Sequence, residues 1–222
     1  MRLPEIIFDD KDIAVISKPA GMLVHPAPGH DGPTLVDVLL REFPEMRGVG
    51  GSGHDGVVHR LDLDTSGVMV FAKNKPAYLA LRRDFERHER IVKTYLAVTN
   101  GAPPRKAGTV DNFLFKSGSK MKVSPEGHGL RAVTHWEVLA RRNGRSLVEF
   151  RIETGRMHQI RVHAANLGCP VAGDSLYGDR QADLRRRPPR MLLHAVELSF
   201  PHPMTGRIVR FAAVPPPEIV NF

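Results

Sequence analysis

Short apolar runs alternate along the chain with polar breaks marked by proline or glycine. Ile6-Ile7-Phe8 and Ile13-Ala14-Val15-Ile16 flank Asp9-Asp10-Lys11-Asp12, which predicts two strands around a turn. Lys18-Pro19-Ala20-Gly21 follows as a turn, and residues 26–33 read as loop. Between Thr34 and Phe43, the apolar residues Leu35, Val38, Leu39 and Phe43 recur at three- and four-residue steps, the spacing of a helix. The glycine-rich stretch 48–56 predicts a flexible connection, and Val68 to Ala72 a strand. Pro76 suits a first helical turn, and Tyr78, Leu81 and Phe85 form a helical apolar stripe behind it.

In the second half, Lys93 to Val98 predicts a strand. Lys116 to Gly129 is polar and glycine-containing and predicts a mobile basic loop. Ala132 to Leu139 and Leu147 to Ile152 alternate as paired strands do. Thr154 is placed to cap a helix running from Gly155 or Arg156 to Leu167, closed by Gly168. A strand from about His194 to Phe200 and a last one over Ile208 to Ala212 complete the pattern. Many strands with scattered helices predict an α+β fold. No repeat of fixed period and no long polar linker divides the chain, so 1–222 reads as one domain, with room for two small subdomains.

Composition narrows the partner. The 222 residues are 41% hydrophobic and 25% charged, values of a globular chain that can bury about 70% of its extended surface. Lys and Arg total 32 against 24 Asp and Glu, a net charge of +8, and only nine of the 32 are lysine. The arginine excess suits a polyanion, because each guanidinium offers a planar fork of donors to phosphate oxygens. Basic residues concentrate at 82–93, at 116–122 and at 180–190, where the arginine run is broken by Pro188-Pro189 and predicts a surface loop. No apolar run is long enough to span a membrane, and residues 1–5 lack a signal peptide's apolar stretch. The lone Cys169 suits a reducing compartment, so a cytoplasmic protein is expected. A monomer is the default expectation.

Two segments carry chemistry. In 57–70, His59-Arg60-Leu61-Asp62-Leu63-Asp64-Thr65-Ser66-Gly67 interrupts an otherwise core-like run with charged and hydroxyl groups. Their burial requires pairing or hydrogen bonds. One of Asp62 and Asp64 can serve as a nucleophile; alternatively both cap the turn and Arg60 makes a structural ion pair. The second segment is Thr154-Gly155-Arg156-Met157-His158-Gln159-Ile160-Arg161-Val162-His163. A buried Arg161 would want a carboxylate, which one of the central aspartates can supply. His158 and His163 lack the four-residue spacing of a helical metal pair, and no CxxC exists, so no metal is expected.

These segments resemble the RluA-type pseudouridine synthases, most closely the ribosomal large-subunit synthases. The first motif is Lys18-Pro19-Ala20-Gly21-Met22-Leu23-Val24-His25-Pro26, and the second is the His59 to Gly67 segment. Lys93-Thr94-Tyr95 matches the next. The long block 154–163, with Gly168, Gly173-Asp174-Ser175-Leu176-Tyr177-Gly178 and Leu192-Leu193-His194-Ala195, matches the last. The resemblance spans roughly residues 6 to 214. It implies a mixed, mainly antiparallel central sheet flanked by helices, with two subdomains around a cleft. It implies that Asp62 is the catalytic aspartate, Arg161 its paired arginine and Tyr95 the residue lying against the uracil. It places Arg60 and His59 at the target nucleotide and gives Lys18 and Arg156 binding or structural roles. Met157 stands where relatives often carry threonine. An N-terminal S4-type domain, common in the family, is not expected in front of a first motif that begins at Lys18. No cofactor is implied, and the implied partner is structured RNA, ribosomal or transfer.

Overall fold

A computed structural model describes residues 3–27, 29, 32–88 and 90–222. They form two compact units. The first holds the chain up to Val92 together with Ala195–Val214; the second holds Lys93–His194 and Pro215–Phe222.

In the first unit, β1 (Glu5–Asp9), β2 (Ile13–Lys18), β3 (Ser66–Ala72) and the Ala195–Pro201 part of β9 (Leu193–Pro201) lie side by side in that order, and β10 (Ile208–Ala212) pairs with β9. The pairs β1–β2, β2–β3 and β9–β10 are antiparallel. All seven residues of β3 are buried, as the unbroken run Val68 to Ala72 requires. The helices α1 (Leu35–Glu42) and α2 (Lys75–Arg87) bury the expected stripes, Leu35, Val38 and Leu39 on α1, and Tyr78, Leu81 and Phe85 on α2. Thr34 and Asp37 close a reciprocal capping box at the start of α1, satisfying two backbone donors that would otherwise be orphaned. Asn74 caps α2. The loop expected over 26–33 includes residues 28, 30 and 31, which lie outside the described residues.

In the second unit the strand order is β4 (Val92–Asn100), β8 (Arg145–Ile152), β7 (Leu130–Arg142), β5 (Ala107–Ser117), β6 (Lys120–Ser124), antiparallel throughout. Helices α3 (Gln159–Asn166), α4 (Arg180–Arg186) and the short α5 (Pro217–Val220) accompany the sheet. One cluster buries Val98, Ala172, Leu192 and Ile219; another buries Leu114, Met121, Ala132 and Val162, with Met157 and Tyr177 packed against it. The fold is the expected α+β class.

Three local expectations are corrected. The stretch from Lys116 to Gly129 is a β-hairpin for much of its length, because β5 and β6 pair through Phe113 to Ser124 and sink Leu114 and Met121 into the second cluster. The arginine run forms the helix α4, nucleated by Asp179, whose carboxylate accepts from the Gln181 and Ala182 N–H groups. The helix expected from Gly155 starts only at Gln159. Thr154 does not cap it: its hydroxyl donates to Gln159 Oε1 at 2.7 Å and accepts from Val133 N–H at 3.0 Å, tying the segment to β7.

Candidate active site

The first unit carries Lys18, His59, Arg60 and Asp62. The segment between Val57 and Thr65 has no ladder hydrogen bonds beyond a single bridge from Val57 to Phe71. Its shape is imposed by side chains instead. Lys18 ends β2 and is fully buried. Its ammonium donates to Pro19 O at 2.9 Å, Met22 O at 2.7 Å and Leu63 O at 3.0 Å. Gly21 N–H donates to the same Leu63 carbonyl at 2.9 Å. The first motif thereby grips the second at the residue between the two aspartates. At the other end, His59 Nε2 accepts from Val70 N–H at 3.1 Å, and its ring stacks on Phe85 with centroids 4.5 Å apart and planes 12° apart. Accepting at Nε2 leaves the neutral ring's proton on Nδ1.

Between these anchors the chain turns at Leu63-Asp64, with Thr65 N–H donating to Asp62 O at 3.2 Å. Asp62 and Asp64 are both half-buried, while Arg60 is exposed. Gly67 ends the segment with φ +122°, and a methyl group there would stand 2.2 Å from Ala195 O. Only glycine lets β3 leave this turn so close to β9.

The second unit carries Tyr95, Arg156 and Arg161. Lys93 and Tyr95 are buried on one side of β4, opposite Ile152 and Phe150 of β8. Burial and the neighbouring Arg156 charge push the Lys93 ammonium down to about 8. Arg156 donates from Nε to Arg131 O at 3.0 Å. Arg161 lies in α3, whose first six residues are all buried, including three polar ones. Gln159 is satisfied at both ends: Oε1 accepts from Thr154 and Arg156, and Nε2 donates to Val133 O and Thr134 Oγ1. His163 meets Thr134 Oγ1 at 2.8 Å and Asn112 Oδ1 at 3.0 Å, and burial pushes its ring down to about 4, so it is neutral.

Asp174 supplies Arg161 with a carboxylate in a bidentate pair, Nε to Oδ2 at 2.7 Å and Nη2 to Oδ1 at 2.8 Å. Burial pushes the Asp174 carboxyl up, but the hydrogen bonds and charge of Arg161, with the Leu176 and Tyr177 N–H groups, outweigh it and hold it below its usual value. The Tyr177 ring sits 5.2 Å from the guanidinium carbon, in the range of a cation–π contact. Its hydroxyl accepts from Met121 N–H and shares a hydrogen bond with His158, which enters α3 at a positive φ of 54°. Sequence reasoning gave Asp174 and Gln159 no role, and counted Lys93 in the 82–93 basic cluster as a candidate phosphate contact, whereas its side chain is buried. The only signal for Asp174 was its place in the matched Gly173 to Gly178 stretch.

Among the described residues, one group of side chains has metal-ligand types within reach of one another: Asp10, Asp12 and His202. Their atoms already serve the fold. Asp10 accepts from the Asp12 and Ile13 N–H groups and from His202 Nε2, and Asp12 accepts from Asn74.

Comparison with known proteins places this geometry in a family. The model of the RNA pseudouridylate synthases matches residues 12–166. Ribosomal large subunit pseudouridine synthase D of Zymomonas mobilis is 41% identical over 97% of this chain and 70% of its own length. Uncharacterized RNA pseudouridine synthases of Synechocystis and Bacillus subtilis are 40% and 41% identical, over 65% and 71% of their own lengths. The chain thus spans about two thirds of the curated relatives it matches. The solved structure of human RNA pseudouridylate synthase domain containing 4 superimposes with a TM-score of 0.75 at 28% identity, covering 97% of this chain and 90% of that one. The chain belongs to the RNA pseudouridylate synthase family, whose reaction is the isomerisation of uridine within RNA.

Proposed function

We propose that this chain converts uridine to pseudouridine in RNA, and that its substrate is large-subunit ribosomal RNA. The observation that carries the reading is the second motif itself, with Asp62 on a turn clamped by Lys18 on one side and His59 on the other. Binding RNA alone would need no such rigid carboxylate. The name of the Zymomonas relative points to the ribosomal substrate.

In this reading the N1–C1′ bond of the target uridine breaks, the uracil turns, and C5 bonds to C1′. N1 gains a proton and C5 loses one, so the product is an isomer and no redox partner enters. The Asp62 carboxylate acts as nucleophile at C1′ or as base at the C2′ proton. Both routes need it held in place, which favours reaction by removing the entropy of orientation. Arg161, itself oriented by Asp174, is the cation proposed to pair with Asp62. Tyr95 covers the uracil face after the nucleotide leaves its stack. Arg60 and His59 bind or support the nucleotide, Arg156 has a binding or structural role, and Lys18 acts through the Leu63 carbonyl it holds. The enzyme acts as a cytoplasmic monomer in this proposal.

The test is a map of pseudouridines in total RNA from the source organism and from a strain lacking this gene, with rescue by wild type and by Asp62→Asn. Loss of one or a few large-subunit rRNA sites, restored by wild type only, is the expected result. Lost sites confined to transfer RNA would replace the substrate, and an unchanged map would overturn the activity.

A further inference from the structure

β7 and β8 are joined by Asn143-Gly144, with φ of 50° and 70°, the backbone of a two-residue hairpin turn. Arg145 leaves this turn at the start of β8. Arg186, at the end of α4, lies against it: a methyl group built on Gly144 would stand 3.0 Å from Arg186 Nη2. Two arginines 41 residues apart in sequence are thereby brought near one another, close enough for the charge of one to act on the other, and neither has an ion-pair partner among the described residues. Arg145 donates from Nε to Asn100 Oδ1 at 3.3 Å, but its Nη2 is buried with no hydrogen-bond partner among the described residues. The nearby carboxylate of Asp183 is already engaged, accepting from Asn100 Nδ2 at 2.8 Å and from Gly173 N–H at 3.0 Å. Burial and the Arg186 charge together hold the Arg145 guanidinium below its usual value, so the pair is electrostatically unfavourable as it stands. An anion with several acceptor oxygens, met by the exposed Arg186 beside the half-buried Arg145, relieves the repulsion.

We propose that Arg145 and Arg186 form a phosphate subsite that holds one backbone phosphodiester of the RNA substrate. This rests on the RNA reading above and adds a contact away from the reacting nucleotide. Arg145 stands opposite Asn100 on β4, and Tyr95 is five residues back along that strand, about 17 Å away. An odd step along the strand puts Asn100, and Arg145 opposite it, on the other face from Tyr95, so the phosphate held here belongs to RNA beyond the reacting nucleotide. Phosphate contacts of this kind position the RNA and do not read its sequence.

The experiment measures filter binding of the full chain to transcribed large-subunit rRNA and to a labelled short single-stranded RNA. Salt runs from about 50 to 200 mM, the range over which phosphate contacts show. Arg145→Gln/Arg186→Gln is expected to make the slope of log affinity against log salt shallower by about 1, one phosphate's worth, and to weaken low-salt binding roughly tenfold. Arg145→Lys/Arg186→Lys keeps the charge and restores most of the slope, but not all of the affinity, because the donor fork is lost. The control is Arg131→Gln/Arg210→Gln, which removes the same charge from arginines already paired with Asp111 and Glu197 and should move the slope less. Should the double glutamine variant melt early, Arg186→Gln alone, on an exposed helix, is expected to lower the slope by about half as much. A wild-type slope in the Arg145/Arg186 variants, or a change no larger than the control's, overturns the subsite. If wild type makes pseudouridine while the glutamine variants bind as wild type does, the subsite fails and the activity stands. If the slope depends on this pair but no pseudouridine forms, the activity fails and the subsite stands. Wild type that binds neither RNA loses both.

Discussion

Asp174 is the residue on which the Arg161 geometry depends. Its two oxygens fix the guanidinium plane, and its own position is fixed by two backbone N–H groups. Asp174→Asn takes the negative charge out of this buried bidentate pair, at a cost of about 3 kcal/mol. For a chain of this size the melting temperature should fall by on the order of 10 °C, and turnover should fall with it. Calorimetry with a pseudouridine assay checks both; an unchanged melting temperature contradicts the structural part. Lys18→Met is expected to behave differently. It removes the bond that holds the Leu63 carbonyl, together with those to Pro19 O and Met22 O that tie it to the first motif, so kcat should drop more than RNA affinity does. A loss confined to KM would argue that Lys18 contacts RNA instead. His163 sets a pH dependence. Its folded value of about 4 lies below the unfolded 6.5, so the unfolded chain binds the extra proton first as pH falls. Stability is therefore full above pH 6.5 and declines between 6.5 and 4, by up to about 3 kcal/mol from this group. Urea titrations of wild type and His163→Asn across that window should show a shallower decline in the variant.

At the scale of elements, the periodic segments of the first unit were legible. Helix α1 follows from the spacing of Leu35, Val38 and Leu39, and α2 from Pro76 and its Tyr78, Leu81, Phe85 stripe, because one buried face on a helix leaves that spacing in any sequence. The β5–β6 hairpin was not legible. Its strands bury little beyond Leu114 and Met121, so the polar surface dominates the pattern. The start of α3 was missed for another reason. Thr154 looks like a cap, yet its hydroxyl is taken by the side chain of Gln159, five residues on, and by β7. A lone threonine does not announce which of several local partners it will choose. The turn carrying Asp62 depends on Gly67, where a Cβ would collide with the β9 backbone. Gly67→Ala should cost roughly 3 kcal/mol and disturb the Asp62 turn. Measured stability and activity near wild type would show that β3 and β9 can separate without harm.

Across the whole molecule, charge sets how RNA is met. A net charge of +8 makes binding salt-dependent. With about five phosphates contacted, affinity should fall on the order of a hundredfold for a fourfold rise in salt, and a flat response would remove the basic surfaces from the account. No helix among the described residues is long and apolar enough to cross a membrane. The amino-acid order alone determined the α+β class, most strands and helices, and the family through its ordered motifs, since periodicity and motif residues are local along the chain. It also singled out Asp62, Tyr95 and Arg161 through the resemblance. Only the tertiary structure decided that Arg161 takes Asp174 as a carboxylate, that Lys18 holds Leu63, and that Arg186 comes against the turn that carries Arg145. Those partners lie 13 to 45 residues apart. A buried charge announces that it needs a partner, but which one it finds depends on how the chain returns on itself.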